Sequence, residues 1–344
     1  MLKLVSVIIP CYNAQEWIAE AIDSCLRQTY PRVEIIVIDD GSTDASLEII
    51  KSYGEKLIWE TGSNRGGNYA RNKGLVLAKG EYIQYLDADD YLLPEKIEKQ
   101  VTCLEETGAD IVYGDWRHQR HLPDGSIVLE EIQTCGPKED MLESLLSNER
   151  WVAPVALLFT RAIIDNSEKW DESLEAGQDR DFLITAAINN AKFAYQASCH
   201  SIYRRYSNTT VSTASKVRWI ENHCLVVGKA EKQLSQLGRF SSKYRQALAQ
   251  FYYDLARLYL YREYPRKIDG LSYSKYVQFL EKTLRLFPDF KADNGILFNL
   301  LQKGLGFRSA EKFTVFLKKN IVSMIRDILY STGSSSQESS IPDI

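Results

Sequence analysis

Three aspartates stand within four residues at Asp87-Ala88-Asp89-Asp90, directly after the apolar run Tyr82 to Leu86. Carboxylates that close repel one another unless a cation neutralises them, and hard oxygen donors suit Mn2+ or Mg2+. Such an ion needs only one or two protein carboxylates and leaves its other positions to water and phosphate oxygens. The plainer reading is a capping cluster ahead of a helix beginning near Pro94, since Asp is favoured at helix starts. A second acidic pair, Asp39-Asp40, follows the run Glu34 to Ile38 and leads into Gly41-Ser42-Thr43-Asp44. It suits either an Asx-turn or hydrogen bonding to a nucleoside, whose ring N–H and ribose hydroxyls a carboxylate accepts. After the first run, Val5 to Ile9, comes Pro10-Cys11-Tyr12-Asn13.

The elements that must position these residues alternate along the first hundred positions. Val5 to Ile9, Glu34 to Ile38, Leu57 to Trp59 and Tyr82 to Leu86 read as strands, with helical patterns at Glu16 to Arg27, Asp44 to Tyr53, Tyr69 to Ala78 and Glu95 to Glu105. That order means βαβ units and a largely parallel sheet, whose ligands sit beyond the carboxyl ends of the strands. Neither G-x-G-x-x-G nor G-x-x-x-x-G-K-[ST] occurs, so the usual dinucleotide and P-loop phosphate cradles are missing. Past Ile111 the pattern is mixed: a hairpin signal at Leu122-Pro123-Asp124-Gly125, a buried-looking run Val155 to Phe159, a helix over Gln178 to Asn189, and short strands near Phe193 and Ile202. After Ser207 to Ser215 the reading is almost wholly helical, with helices at Val217 to Leu237, Ser242 to Arg262, Ser272 to Phe287 and Glu311 to Tyr330.

The first two stretches of the chain therefore divide into an α/β domain over 1–213 and a helical region over 214–330, with a Ser-rich, disordered tail expected over 331–344. Charge divides at the same place. Residues 1–213 hold 21 Lys and Arg against 34 Asp and Glu, while 214–344 hold 21 against 12, behind an overall formal charge of −4 in 344 residues. At 44% hydrophobic and 26% charged, the composition excludes collagen-like, wholly disordered and disulfide-scaffold classes. Six scattered cysteines without a C-x-x-C pair read as reduced packing residues. No apolar stretch is long enough to span a bilayer, and Met1 to Pro10 runs straight into a strand without the pattern of a signal peptide. The expected address is cytoplasmic.

Together these pieces resemble the family 2 inverting glycosyltransferases of GT-A fold. The resemblance is carried by Val5-Ser6-Val7-Ile8-Ile9-Pro10-Cys11-Tyr12-Asn13, Gln28-Thr29-Tyr30-Pro31, Glu34 to Asp44, Asn64-Arg65-Gly66-Gly67, Ala70-Arg71-Asn72-Lys73-Gly74 and Gly80 to Asp90. It implies a Rossmann-like, mostly parallel sheet with a mixed second half, a nucleotide-diphosphate sugar as donor (a UDP-sugar by family habit), and transfer with inversion. By motif position it places Pro10, Tyr12 and Asp39 at the base and ribose, with Asn13 and Asp40 adjacent, and Arg71 near the diphosphate. It makes Asp87 and Asp89 the Asp-x-Asp pair, with Asp89 the direct metal ligand. The family's general base falls at Asp179 in Gly177-Gln178-Asp179-Arg180-Asp181, where Gln178 stands in for a frequent Glu, and Asp181 is held in reserve. Tyr203-Arg204-Arg205-Tyr206 matches a segment that often closes over the diphosphate, without deciding between Arg204 and Arg205. The resemblance covers 1–213, loosely beyond about 115, and not the helical remainder.

A hexosyl- or N-acetylhexosaminyl-transferase is thus expected, acting on a hydroxyl of a glycan or lipid-linked acceptor. A catalytically silent sugar-nucleotide-binding or scaffold subunit is the alternative, motivated by Gln178. A sugar nucleotidyltransferase would want a Gly-rich basic loop after the first strand, which Pro10 to Asn13 is not. Trp116, Trp151 and Trp170 read as core packing ahead of sugar-stacking platforms, and His118 and His121 as exposed hairpin residues ahead of a metal pair. The basic helices have three readings: packing, an oligomer contact, or an anionic membrane surface met by Phe313, Phe316, Leu317, Val322, Ile325 and Ile328 with Lys312, Lys318, Lys319 and Arg326. The last would put the enzyme peripherally at the inner face of a membrane. No nucleic-acid partner is expected, and the oligomeric state is left open.

Overall fold

A computed structural model of the chain describes residues 2–147, 149, 152–206, 216–261, 270–292 and 296–314. The tail 331–344, Trp151, the Ser207 to Ser215 stretch, and most of the basic amphipathic segment, Phe316 to Ile328, lie outside the described residues.

The first half alternates β1 (Val5–Cys11), α1 (Ile18–Leu26), β2 (Val33–Asp39), α2 (Ser46–Ser52), β3 (Ile58–Thr61), α3 (Gly67–Leu77), β4 (Tyr82–Tyr85), β5 (Tyr91–Leu92) and α4 (Lys96–Thr107). The second half continues with β6 (Ile111–His121), β7 (Ile127–Gln133), α5 (Met141–Ser147), β8 (Leu157–Thr160), α6 (Arg161–Asp165), α7 (Gln178–Ile188) and β9 (Phe193–Arg205). Among the described residues α8 (Lys216–Gln236), α9 (Ser242–Tyr261), α10 (Gly270–Leu286) and α11 (Ile296–Leu305) follow, and residues 307–314 are again helical.

The strands form one sheet in the order β3-β2-β1-β4-β8-β6-β9-β5, with β7 paired to β6. β3, β2, β1 and β4 are mutually parallel. From β8 onward the sheet is mixed, β8 being antiparallel to both β4 and β6, and β9 parallel to β6. β1, apart from Ser6, and the Ile35-Ile36-Val37-Ile38 run of β2 are largely buried and apolar, as strands covered on both faces must be. α3 lies directly on them because Gly74 has no side chain: a Cβ there would meet Ile8 Cγ2 at 2.4 Å. The chain leaves β1 towards β2 and β3, then returns to β4 on the other side of β1. The crevice beyond the carboxyl ends of β1 and β4 is therefore the topological switch point, where a ligand is expected.

The mixed second half differs from the sequence reading in one instructive way. The two short strands expected near Phe193 and Ile202 are one strand, β9, running beside β6 and interrupted by a bulge. There Gly114 pairs Gln196 and Asp115 pairs Cys199, so two residues of β9 are extra, and Ser198 takes φ of 101°. The Asp115 carboxylate fastens the bulge, accepting from the Tyr195 hydroxyl (2.8 Å) and the Ser198 N–H (3.3 Å). A bulge breaks the period-two alternation by which a strand is read.

Contacts between Cα positions divide the chain after Phe251, into Met1–Phe251 and Tyr252–Ile344, whereas composition changes at 213. The difference is α8 and the first half of α9, of which α8 is bound into the first unit by side chains described below. The described part of the second unit is helical and has a small polar centre: Glu311, fully buried, accepts from the Tyr253 hydroxyl at 3.0 Å and lies 3.6 Å from the Arg257 guanidinium. No helix among the described residues is long and apolar enough to cross a membrane.

Candidate active site

The carboxyl ends of β1 and β2 are tied to each other before any ligand is considered. Asn13, at φ of 48°, accepts from the Thr43 N–H (2.8 Å) while its own N–H donates to Ser42 Oγ (3.0 Å). Asp39, 1% exposed, accepts from the Ser42 N–H (3.2 Å) and the Thr61 hydroxyl (2.6 Å). These use two of a carboxylate's roughly four acceptor directions. Asp40 accepts from the backbone N–H groups of Arg65 (2.9 Å) and Gly66 (2.7 Å), so it fixes the entry to α3. Tyr12 is exposed at the mouth of this corner and Pro10 sits in the strand behind it.

α3 carries Arg71 beneath the next loop. Its guanidinium is nearly buried, 4.8 Å from the Trp170 ring centroid, and one nitrogen donates to Asp87 Oδ1 at 2.5 Å. Asp89 Oδ2 accepts from the Tyr206 hydroxyl at 3.0 Å. Asp90 is buried, with Oδ1 accepting from the Arg204 N–H at 2.8 Å and Oδ2 lacking a hydrogen-bond partner among the described residues. Burial, and then the neighbouring Asp87, push the Asp89 carboxyl up to about 6; burial, Asp89 and Asp87 push Asp90 well above the usual range. Asp87 and Asp89 fit Mn2+ or Mg2+ because each keeps a second oxygen outside these bonds. Among the described residues no three His, Cys, Asp or Glu side chains converge to hold a metal by themselves, so phosphate and water would complete its sphere.

The two arginines at the end of β9 have different fates. Arg204 is taken up by contacts within the protein. Its side chain is 1% exposed, ion-paired to Glu20, and donates to the Asp89 carbonyl (2.5 Å) and Gln119 Oε1 (3.2 Å), with Trp17 4.4 Å beneath it. Arg205 is exposed, 6.0 Å over the Tyr203 ring. Spacing shows that two adjacent strand residues face opposite ways, but not which of them finds a buried partner 184 positions away.

Asp179 lies in the first turn of α7, after Gly177 in the left-handed region at φ of 70°. Asp181, the reserve candidate, is buried and paired with Lys229 of α8 at 3.1 Å, a structural charge. Burial still leaves its carboxyl raised. Trp116 and Trp170 are core residues as expected, the latter stacked on Phe182 at 4.8 Å. The histidines are not exposed hairpin residues. His118 is 8% exposed and 3.2 Å from Glu130, with burial pulling its pKa down, and His121 packs edge-on against Trp17 at 4.9 Å. Five cysteines are free thiols; burial and Asp39 push the Cys11 thiol up to about 12, consistent with a packing role.

The family model described as Glycosyl transferase family 2 matches residues 6–130, which contain β1 to β4 and both acidic loops. This chain carries a family 2 glycosyltransferase domain. A poly(ribitol-phosphate) beta-glucosyltransferase of Bacillus spizizenii is 30% identical over 58% of this chain and 32% of its own length. The uncharacterized glycosyltransferase YibD of Escherichia coli is 33% identical over 60% of this chain and 63% of its own. The chain spans about half the length, or less, of the first curated relatives it matches. Among solved structures, S. aureus TarS 1-349 in complex with UDP-GlcNAc superposes with a TM-score of 0.63 at 20% identity, covering 94% of this chain and 92% of that one. The family 2 domain is therefore of GT-A type, followed by a helical region.

Proposed function

We propose that this family 2 domain is an inverting glycosyltransferase that moves a sugar from a nucleotide-diphosphate sugar, a UDP-sugar in first place, to a hydroxyl of a glycan or lipid-linked acceptor. The observation that carries the reading is the convergence, at the switch point of the sheet, of an anchored Asp39 corner, Arg71 and an undercompensated Asp87-x-Asp89 loop. UDP as donor nucleotide is supported by TarS, whose structures hold UDP and UDP-GlcNAc.

In this reading Tyr12 and Asp39 receive the base and ribose, and Arg71 and Arg205 lie along the diphosphate. Asp89 and Asp87 would hold a divalent cation, which when bound would supply charge stabilisation to the departing diphosphate. Asp179 accepts the acceptor hydroxyl's proton as that oxygen bonds to the anomeric carbon, and the bond to the β-phosphate oxygen breaks with its electrons on the nucleoside diphosphate. Inversion follows from a single displacement.

Asp179→Asn tests the reading. UDP release from UDP-GlcNAc in the presence of a hydroxyl acceptor should fall about 10²- to 10⁴-fold, the range of a lost general base, while Mn2+-dependent UDP binding persists. Wild-type turnover in the variant removes Asp179 from the mechanism. Nucleotide binding by a wild type without turnover on any sugar nucleotide points to the silent scaffold.

A further inference from the structure

The segment 168–181, which ends in Asp179 and the first turn of α7, is held from two sides. On one side α3 grips it: the Asn72 carboxamide accepts from the Trp170 N–H (3.1 Å) and donates to the Trp170 carbonyl (2.9 Å). On the other side stands α8, which lies outside the segment matched by the family model. Lys229 of α8 reaches Glu168 at 2.6 Å and Asp181 at 3.1 Å, and the Glu175 N–H donates to Asn222 Oδ1 at 3.0 Å. His223 closes the gap at the helix start, its ring 3.0–3.3 Å from where a Cβ on Gly177 would stand. The His223 Nδ1 is 2.8 Å from the Trp219 carbonyl and its ring stacks on Trp219, so it is held rigidly from its own helix.

We propose that α8 is a positioning element of the active site, in which Lys229 and His223 hold residues 168–181 so that α7 presents Asp179 at a fixed place. The inference rests on the reading of Asp179 as general base. Its physical basis is that Asp181 and Asp179 share one helical turn. A salt bridge that fixes the first also fixes the backbone carrying the second, and small misplacement of a catalytic group is costly.

The experiment compares Lys229→Met, Lys229→Arg and His223→Ala by amide hydrogen exchange, UDP affinity and turnover of UDP-GlcNAc. Lys229→Met is expected to speed exchange across 168–182, to lower kcat about ten-fold or more, and to leave UDP affinity within about two-fold. Lys229→Arg should restore both properties. His223→Ala leaves every ion pair intact and carries the same expectation should Lys229→Met fail to fold. Wild-type exchange and kcat in the two disruptive variants overturn the proposal, as does a loss of UDP affinity equal to the loss of kcat. If Asp179→Asn turns over normally, the base assignment fails, and exchange across 168–182 still decides whether α8 holds α7.

Discussion

Asp39 and Asp40, after β2, accept four hydrogen bonds between them, one for each carboxylate oxygen. Asp87, Asp89 and Asp90, after β4, form three side-chain hydrogen bonds among six oxygens with the described residues, and one of the remaining oxygens is buried without a partner among them. The two loops lie at the same edge of the sheet and are made of the same residue, yet only one is electrostatically finished. Burial alone does not separate them, since Asp39, Asp40 and Asp90 are all buried. What separates them is the donor supply. Backbone N–H groups from 42, 65 and 66 converge on the first pair, so it serves as architecture for the β1–β2 corner and for α3. The second loop stores like-charge repulsion that a cation can relieve.

Substitution should act on the two loops in opposite directions. Asp89→Asn removes one of the crowded charges, so the ligand-free protein should melt at a higher temperature while transfer falls about 10³-fold through lost stabilisation of the leaving diphosphate. Asp40→Asn turns an amide donor towards a backbone N–H and should cost about 1–3 kcal/mol of stability. Its activity should fall less than that of Asp89→Asn, because the chemistry is touched only through the placement of α3. Melting curves and UDP release on both variants give the comparison. A lower melting temperature for Asp89→Asn would show that its loop is as finished as the other.

The same contrast has a pH signature. Asp89 holds its proton up to about 6 in the folded chain against an ordinary 3.8. Between those values the folded state binds more protons than the unfolded one, so stability contributed by this group falls as pH rises and is regained on acidification. The shift sets a ceiling of about 3 kcal/mol. Several carboxylates act in the opposite sense, Asp44 and Asp140 among them, with pKa values lowered by hydrogen bonds and, for Asp140, by Lys243. The informative quantity is therefore the difference between wild type and Asp89→Asn in urea unfolding at pH 5 and pH 7. The variant's relative advantage should be larger at pH 7; an equal advantage at both would mean that the carboxyl is not raised.

How much of this was legible in the sequence follows from how far apart the partners lie. Strands and helices of the first hundred residues are local patterns, and the site motifs sit at their ends, so Asp39, Arg71 and Asp87 fall together once the parallel sheet is assumed. The hairpin at Pro123-Asp124-Gly125 was equally local: Asp124 Oδ1 accepts from the Ser126 N–H at 2.9 Å. The bulge in β9 was hidden because its cause, Asp115, lies on another strand. The setting of Arg204 was hidden because its ion-pair partner, Glu20, is on α1. Lys229 gave a faint signal, a lysine among the buried Val226, Val227 and Ala230, but its carboxylates are 48 and 61 positions away. Tyr206 carried no chemical role in the sequence, although its hydroxyl is the one side-chain donor that the structure brings to the Asp89 carboxylate among the described residues.

Tyr206→Phe is the mildest way to probe the unfinished loop. The variant loses the 3.0 Å hydrogen bond to Asp89 Oδ2 and keeps the ring, which packs 5.0 Å from Trp17. If the hydroxyl holds the carboxylate with its other oxygen turned to the cation, losing it should weaken Mn2+ binding in the presence of UDP by about 1 kcal/mol, or about five-fold. The free Mn2+ signal in electron paramagnetic resonance titrations reads this directly, without an acceptor or turnover. Tighter binding in the variant would reverse the inference: the hydroxyl would then compete with the cation for the same oxygen, and Tyr206 would have to leave Asp89 before the site could fill. Unchanged affinity would make Tyr206 a bystander and return the Asp87-x-Asp89 loop to one shaped only by Arg71 and Arg204.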